Sequence, residues 1–474
     1  MIPVVSNIIA DRLKSMLSIG SPNELLRKLS DFKHIVSEKY PNAIRLGLLS
    51  EISIGDSVIG VFTDGSNAIS ERRGAGVAVF SASSLLFEIG GEKARFVRKY
   101  VLTPDICFLI LIPRFYVGTR ANNIMKGMEF ITTTYMIDNN NVDFAVLDGS
   151  YISTLLSARW GIEHLYRDVY GIFTKYLETQ TDDARSAEQQ FIDLCDTISD
   201  TTLKILRRDI FGDTNEPRKI VSTFLSSYVR NIEEILDSVD QKFSIPEEGE
   251  ISLINFIAMF METNFMMEGL RRLLSTARRK KVPLLWLNKE PESRILTKKL
   301  DHKLFRMFTD AFALDFSLDD GEYLMHTGQL EVPASGKYVT RRTGKKNNLR
   351  KATHSVIPEI ADEVYGEYGL YGIIYVKYRD FVIQYTYPRN ILGSDLDSRR
   401  NADSKALETV RILGYVSPVG YPEPMIHVHL HTVIREGLAD VMADSFIRIL
   451  DTRGVLSKII KKFIGKSGRK LIGI

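Results

Sequence analysis

Residues 61–89 read VFTDGSNAISERRGAGVAVFSASSLLFEI and give the clearest indication of the fold. Short apolar runs alternate there with Gly and Ser, and the same texture extends over about residues 50–115. Such runs, separated by turn residues, are typical of short β-strands. The four runs are VIGVFTDG, GAGVAVFSAS, LLFEIGG and ICFLILIP. We therefore predict several neighbouring strands joined by turns.

A helix and one more strand follow this β-rich stretch. Residues 119–137 carry one apolar stripe with steps of 4, 3 and 4 residues, which predicts a helix. The stripe consists of Ile124, Met128, Ile131 and Tyr135. Residues 142–147 (VDFAVL) are predicted to form a short buried strand. Several strands, a helix and a further strand indicate the α/β class, with a mixed β-sheet flanked by helices.

The rest of the chain contains one long helical block. Residues 151–280 have almost no Gly or Pro clusters and are dominated by helical periodicity, as are residues 7–40. We interpret the block as a large helical insertion between strands of one sheet. Later elements are predicted as strands at residues 282–287, 372–378 and 380–387 and a long helix at about residues 424–450.

These elements suggest four parts. The predicted organisation is an N-terminal helical segment (1–48), a core (49–150 and 282–450), a helical insertion (151–281) and a basic C-terminal tail (451–474).

Composition and charge narrow the class of protein. The chain has 474 residues, 44% hydrophobic and 26% charged, which is typical of a globular protein and excludes a disordered chain or a disulfide-stapled miniprotein. The net charge of +3 creates no general attraction for nucleic acid, so any such binding must use local basic patches. Two cysteines, no secretory signal and no long apolar run predict a cytoplasmic protein without stable membrane insertion.

The sequence Asp-Gly-Ser occurs twice, each time after an apolar run. The two acids are Asp64 and Asp148. Asp-Gly is a favoured hairpin dipeptide, so a tight turn is one interpretation of each. A turn fits the second occurrence badly, because the chain then enters a helix. The alternative is a carboxylate fixed at the end of a buried strand, where the neighbouring Gly permits close approach of substrate or metal.

Glu129 lies between the two aspartates and next to Met128 of the apolar stripe. Alone, it would be interpreted as an ordinary solvated Glu. The order of strand-Asp, two strands, helix-Glu and strand-Asp instead predicts that the three carboxylates converge on one face. Three close carboxylates repel each other unless a divalent cation lies among them, and two metals about 3.5–4 Å apart can support phosphodiester cleavage.

Three stretches resemble the opening of a ribonuclease H-like domain. They are residues 61–89, TRANNIMKGMEF (119–130) and VDFAVLDGSYI (142–152). In that fold the first acid ends strand one, a Glu lies on the first helix, and the second Asp ends strand four. The acids at the matching places are Asp64, Glu129 and Asp148.

The C-terminal half contains a second motif, GYPEPMIHVH at residues 420–429. Pro424 favours a helix that begins there. Three His at 427, 429 and 431 indicate either a metal or phosphate site or three separately satisfied polar side chains. The motif resembles that of the NurA nuclease family, DNA nucleases of archaea and bacteria with a ribonuclease H-like core: a Gly-Tyr-Pro turn, a second Pro and a His on the following helix.

Two further stretches are similar to NurA segments: residues 286–289, leading to Ser293-Arg294, and the strand pair at 372–387. The resemblance covers about residues 49–150 and 282–450, and not the helical block.

The resemblance implies particular site residues. Asp64, Glu129, Asp148 and His429 would bind one or two Mn²⁺ or Mg²⁺ ions, and Mn²⁺ is favoured because a His is present. Tyr421 would be a further site residue, and Lys289 would lie near the scissile phosphate, although a surface Lys at a strand end is also a sufficient interpretation. His429 is preferred over His427 and His431 because its spacing from Tyr421 matches the family pattern.

The resemblance also implies a biological setting. It implies a homodimer that acts on DNA with a HerA-type hexameric ATPase during double-strand-break end resection. The sequence contains no G-x-x-x-x-G-K-[ST] motif, so a partner would have to supply the energy.

Three basic stretches are candidate phosphate contacts, although charge runs are usually only solvated. They are residues 278–281, residues 341–351 and the tail from Lys458 to Lys470, which is also a candidate amphipathic helix for a partner or membrane surface.

Two other functions stay open. One is a ribonuclease H acting on RNA–DNA hybrids, which would need the three acids but not the segment from Tyr421 to His429. The other is a non-catalytic DNA-binding subunit of the same fold.

Overall fold

A mixed sheet of ten strands lies at the centre of the residues that the computed structural model describes. The described ranges are 27–53, 57–91, 93–103, 107–157, 169–171, 184–243, 249–289, 291–300, 308–330, 339–342, 349–353, 359–379, 381–417, 420–435 and 437–450. The first 26 residues, with most of the predicted N-terminal helix, and the predicted basic tail lie outside them.

The strand order places three parallel strands in the middle of the sheet. The ten strands are β1 (Ile44–Leu48), β2 (Val58–Glu71), β3 (Gly76–Gly90), β4 (Lys93–Leu102), β5 (Phe108–Leu111), β6 (Phe144–Asp148), β7 (Leu284–Asn288), β8 (Glu322–Gln329), β11 (Leu370–Tyr378) and β12 (Phe381–Pro388), with β9 (Val339–Arg342) and β10 (Leu349–Thr353) paired separately. Their order is β1-β8-β11-β12-β7-β6-β2-β3-β4, and β5 pairs with β3. The β2–β6 and β6–β7 pairs are parallel, and the other pairs of this sheet are antiparallel.

Helices connect the parallel strands, because a parallel neighbour can be reached only through a crossover. The helices are α1 (Phe32–Lys39), α2 (Val117–Asp138), α3 (Ala184–Ile205), α4 (Pro217–Asp240), α5 (Glu250–Lys280), α6 (Asp310–Asp315), α7 (Glu359–Tyr368), α8 (Leu396–Tyr415), α9 (Glu423–Thr432) and α10 (Leu438–Leu450). A short helix at residues 151–157 follows β6, and a π-helical turn, Leu206–Phe211, follows α3. The predicted α/β class, with a mixed sheet flanked by helices, is confirmed.

The long helices fall between β6 and β7, in the block that the sequence predicts to be helical. The four-part division of the chain stays a prediction, and the strand β1 lies within its N-terminal segment. No helix among the described residues is both long enough and apolar enough to span a membrane.

Side chains alternate along each strand, so neighbouring residues belong to opposite faces of the sheet. Val61 and Trp286 pack into the core formed with α2 and α5. Phe62 and Leu287 pack into the core beneath α8 and α9. A side chain in the central strands therefore contacts the helices on one face of the sheet and not those on the other.

Helix α2 is joined to the helical block by a buried ion pair. Arg120 on α2 and Glu262 on α5 are both fully buried, and the Arg120 Nη2 atom lies 2.9 Å from the Glu262 Oε1 atom. Tyr228 of α4 donates a hydrogen bond to the same carboxylate and accepts one from Arg120 at 2.7 Å. Each polar group is therefore paired inside an apolar layer, which fixes α2 against α4 and α5.

Three sequence predictions about single elements are wrong. The strand that contains Asp64 does not end there, because β2 stays paired with β3 as far as Glu71. The runs at 74–83 and 85–91 form the single strand β3, whose central Ser residues are held by hydroxyl contacts such as Ser84 Oγ to Thr63 Oγ1, 2.7 Å apart. The long final helix is two helices, α9 and α10, separated near Gly437, which has a φ of +83°.

Candidate metal and phosphate site

The predicted acids lie where β6 ends and leaves one side of β2 open. Parallel pairing of β2 with β6 stops at Thr63 opposite Leu147, one residue before each aspartate. Asp64 is therefore the first residue of β2 beyond its parallel neighbour, although β2 itself continues. The carboxyl end of β7 lies beside Asp148, because Asp148 is paired with Leu287. Ligands of α/β sheets commonly bind at this end of the parallel strands.

Asp64 is held from the side of α9. The Asp64 carboxyl is buried, and its Oδ2 atom lies 2.8 Å from the His429 Nδ1 atom. Thr432 donates a hydrogen bond to the same oxygen at 3.4 Å, and the other oxygen accepts one from the Gly65 amide at 2.8 Å. Of the three clustered histidines, His429 contacts the predicted acid.

The other two histidines of α9 point elsewhere. The His427 Nε2 atom lies 3.5 Å from the Glu423 Oε1 atom on the same helix. The His431 side chain is largely exposed. A slight loss of hydration and the nearby Lys99 and His427 lower the pKa of its imidazole. The beginning of α9 agrees with the sequence prediction, because Pro424 lies in its first turn.

Glu129 approaches from the opposite face of the sheet. It projects from α2 toward β2 at Gly65, where a Cβ atom would lie only 2.7 Å from the Glu129 Oε1 atom. Glu129 is 1% exposed. Burial raises the pKa of its carboxyl from the ordinary 4.5 to about 8, and the charges of Asp64 and Asp148 add to this effect against the opposing Lys126. Residue 65 is Gly because a side chain there would displace the Glu129 carboxylate.

Asp148, Lys289 and Tyr421 complete the group on the α9 face. The Asp148 Oδ1 atom lies 3.5 Å from the Lys289 Nζ atom, and that nitrogen lies 5.9 Å from the Tyr421 ring centroid. Burial and the nearby Asp64 raise the pKa of the Asp148 carboxyl. Burial and the charges of both aspartates raise the pKa of the Tyr421 phenol, which therefore stays protonated.

The structure thus gathers the predicted residues, but not on one face. The Thr63 hydroxyl accepts a hydrogen bond from Thr133 of α2 at 2.8 Å, so the next residue, Asp64, projects toward α9. Glu129 comes from the α2 side and lies against Gly65 of β2. The mutual effects on pKa show that the three carboxylates are within electrostatic range of one another.

The donor set fits a hard divalent cation, although no set of three ligands is preformed in the described part of the chain. No group of three or more His, Cys, Asp or Glu side chains within the described ranges is arranged to hold a metal ion. Two buried oxygens, Glu129 Oε1 and Asp148 Oδ1, have no hydrogen-bond partner among the described residues. Carboxylate oxygens with one imidazole suit Mn²⁺ or Mg²⁺, so the chemistry of these residues fits such an ion.

Comparisons with known proteins found similar solved structures. The chain is similar to the crystal structure of the NurA nuclease from Sulfolobus solfataricus, with 13% sequence identity, 94% of this chain and 97% of that chain covered, and a TM-score of 0.45. A structure of NurA bound to dAMP and manganese has 13% identity, covers 92% of this chain and 97% of its own, and gives a TM-score of 0.42. No protein-family model matches the sequence, and no curated protein matches it.

Sequence reasoning missed one residue at the centre of the site, Lys126. Its Nζ atom lies 3.1 Å from the Glu129 Oε2 atom and 3.1 Å from the backbone oxygen of Asp148. A signal was present, because a Lys three residues before a Glu on a helix faces the same side. The pair is ordinarily a solvated surface pair, and only the burial of Glu129 distinguishes it.

One predicted basic patch, at residues 278–281, lies away from the site. Residues 278–281 lie at the other end of β7 from Asp148, and Arg278 and Arg279 form ion pairs with Glu367 and Asp138. Side chains of residues 341–351 and the tail are outside the described part of the chain.

The metal-free protein is expected to lose stability as the pH rises. The folded state holds a proton on Glu129 up to about pH 8, whereas the unfolded chain releases it near 4.5, so the free energy of unfolding falls across this interval. The loss is on the order of a few kcal/mol. Urea denaturation in EDTA at pH 5 and pH 8.5 measures it. Glu129→Gln should remove most of this pH dependence, and an equal slope in both proteins would contradict the burial argument.

Proposed function

We propose that this protein is a metal-dependent nuclease that hydrolyses phosphodiester bonds in DNA. The observation that carries the proposal is the gathering of Asp64, Glu129 and Asp148, with His429, at the open end of the central strands. Burying three carboxylates together is unfavourable without cations, so such a cluster is typical of a functional site. Lys289 and Tyr421 add donors for a negatively charged substrate at the same place.

The acidic residues and His429 would hold Mn²⁺ or Mg²⁺. The bound metal would supply Lewis acidity and activation of water for phosphodiester hydrolysis. Asp64 orients His429 through the contact at Nδ1, which leaves the Nε2 atom directed away from that carboxylate.

The neighbouring side chains would stabilise charge on the phosphoryl group. Lys289 is half-exposed and close to Asp148, so its ammonium can reach a phosphate that approaches the acids. The protonated Tyr421 phenol can donate a hydrogen bond to a phosphate oxygen. His429 can also donate a hydrogen bond to a phosphate oxygen. Hydrogen-bond donors that point at the phosphoryl group stabilise the negative charge that develops there in the transition state.

A cavity of about 720 Å³ opens at the carboxyl ends of β6 and β7, and its lining includes none of the site acids. Its lining includes Ser150 and Asn288, which are near neighbours of Asp148 and Lys289 in sequence, and the cationic Arg294 and Lys298. A polar cavity with two cations and the single acid Glu292, at this end of the sheet, suits a phosphate-bearing nucleotide of the substrate.

The edge strand β4 supports nucleic acid as the substrate. Its cations Lys93, Arg95, Arg98 and Lys99 are exposed, with exposed Phe96 between them. Lys99 lies close enough to His431 of α9 to affect its pKa, so this basic strand adjoins the helix that carries His429. A protein of small net charge can contact phosphates through a local cluster of exposed cations such as this one.

Replacing Arg98 and Lys99 together by Ala is expected to weaken DNA binding in a salt-dependent way. If each contacts one phosphate, the slope of log K against log salt should decrease in magnitude by about 2. Fluorescence anisotropy in EDTA, over a salt series, measures binding without cleavage. Lys219→Ala, an exposed cation on α4, is the control and should leave the slope unchanged. An unchanged slope in the double variant would exclude β4 from the binding surface.

Cleavage of labelled substrates tests the proposed activity directly. Duplex DNA should be hydrolysed with Mn²⁺, EDTA should abolish hydrolysis, and added Mn²⁺ should restore it. An RNA–DNA hybrid digested side by side distinguishes this activity from that of a ribonuclease H. Preferential cleavage of the hybrid would replace the DNA nuclease proposal, and no cleavage of either would favour a binding subunit.

We also propose the setting that the sequence resemblance implies. The protein would act in the cytoplasm as a homodimer with a HerA-type hexameric ATPase in double-strand-break end resection. The support is the NurA-like motif at residues 420–429 and the absence of a nucleotide-binding P-loop sequence in the chain. Light scattering tests the dimer. Resection of a linear duplex, with and without such an ATPase, tests the partnership.

A further inference from the structure

One lysine is built into the acidic cluster. Lys126 precedes Glu129 by one helical turn, and its side chain is 16% exposed. Its ammonium contacts both the Glu129 carboxylate and the backbone oxygen of Asp148, each at 3.1 Å. Gly149 has a φ of +99°, and a Cβ atom there would lie 3.3 Å from the ammonium. The backbone after β6 therefore leaves just enough room for this cation.

The surrounding charges keep Lys126 protonated. Burial opposes its charge, and the nearby carboxylates of Asp148 and Asp64 favour it. Lys126 is thus a positive charge close to the oxygens that would bind a divalent ion.

We propose that Lys126 is an internal cation that holds Glu129 by a hydrogen bond in the metal-free protein and is displaced from it when a divalent cation binds. The inference rests on the proposed metal centre. It accounts for two features together: the acids are close, yet no preformed set of three ligands exists among the described residues. An ammonium and a divalent ion on the same carboxylate would repel each other strongly, so both cannot keep Glu129 at contact distance.

Lys126 would therefore lower metal affinity, because part of the binding free energy is used to separate it from Glu129. Lys126→Gln keeps most of the length of the side chain and removes the charge. Lys405 offers a matched control, because its Nζ atom pairs with Glu408 at 2.7 Å with the same spacing of three residues, on α8 and outside the site.

Mn²⁺ binding to the full chain tests this inference. It is measured without nucleic acid, by the electron paramagnetic resonance signal of free Mn²⁺. Lys126→Gln should bind Mn²⁺ at least about tenfold more tightly than the parent. Lys405→Gln should bind as the parent does. Equal or weaker binding by folded Lys126→Gln would overturn the inference.

A labelling measurement covers the case in which Lys126→Gln does not fold. The parent is treated with acetic anhydride, and modification of Lys126 and Lys405 is followed by mass spectrometry. Mn²⁺ should accelerate modification of Lys126 several-fold and leave Lys405 unchanged. An unchanged rate at Lys126 in a protein that binds Mn²⁺ would overturn the inference. If neither parent nor variant binds Mn²⁺, the proposed metal centre itself fails, which is distinct from equal binding by both.

Discussion

Asp64→Asn is expected to lower the rate of Mn²⁺-dependent DNA hydrolysis by at least about a hundredfold. Asp64 is the acid that links the cluster to His429, and its replacement removes a proposed metal ligand and the partner that orients the imidazole. Asn can keep the hydrogen bond from the Gly65 amide, so the fold should be retained. Hydrolysis of a labelled duplex at saturating Mn²⁺ measures the effect.

Asp143→Asn is the matched control for this substitution. Asp143 precedes β6, at the end of the strand away from Asp148, and accepts a hydrogen bond from the Ile59 amide at 2.7 Å. It is exposed and outside the cluster, so its replacement should leave the rate unchanged. Equal hydrolysis by Asp64→Asn and the parent would show that the activity does not come from this site.

The largest effect on stability is expected for Glu262→Ala. This substitution leaves the guanidinium of Arg120 buried without its carboxylate, and breaking a buried pair in this way costs about 3–5 kcal/mol. Tyr228 loses the same partner. Because Arg120 lies on the helix that carries Glu129, loosening this contact should also weaken metal binding. Urea denaturation measures the free energy of unfolding.

An exposed pair of the same type provides the comparison. Glu88 pairs with Arg95 at the edge of the sheet, where both side chains are substantially solvated. Glu88→Ala should change the free energy of unfolding by no more than about 1 kcal/mol.

Replacing Arg120 and Glu262 together by Met should destabilise the protein less than Glu262→Ala alone, since no buried charge is then left unpaired. A larger loss in the double variant would contradict this account.

Local patterns were sufficient where one element contained the whole signal. The stripe from Ile124 to Tyr135 predicts α2 because helical spacing depends only on residues a few positions apart. Pro424 likewise predicts the beginning of α9. The strand β4 was missed because residues 95–99 are all exposed, so no alternation of apolar and polar side chains marks it.

Long-range pairing accounts for the errors. The prediction that the strand ends at Asp64 relied on the apolar run, which stops there, but the neighbouring β3 continues to pair with β2 beyond it. The strand that does end is β6, on the other side of β2. The point where β6 stops pairing with β2 depends on residues some 80 positions away in sequence. A prediction from neighbouring residues alone cannot include them.

Sequence order and residue type were enough to identify the class of fold, the acids Asp64, Glu129 and Asp148, and His429 as candidates, because strand and helix periods and a motif are local properties. Folding alone brings Glu129 against Gly65 of β2, from the face opposite His429. Folding also places the ammonium of Lys126 against the acids. Both depend on where separate elements pack, since burial and the distances between charges arise only when distant segments of the chain meet.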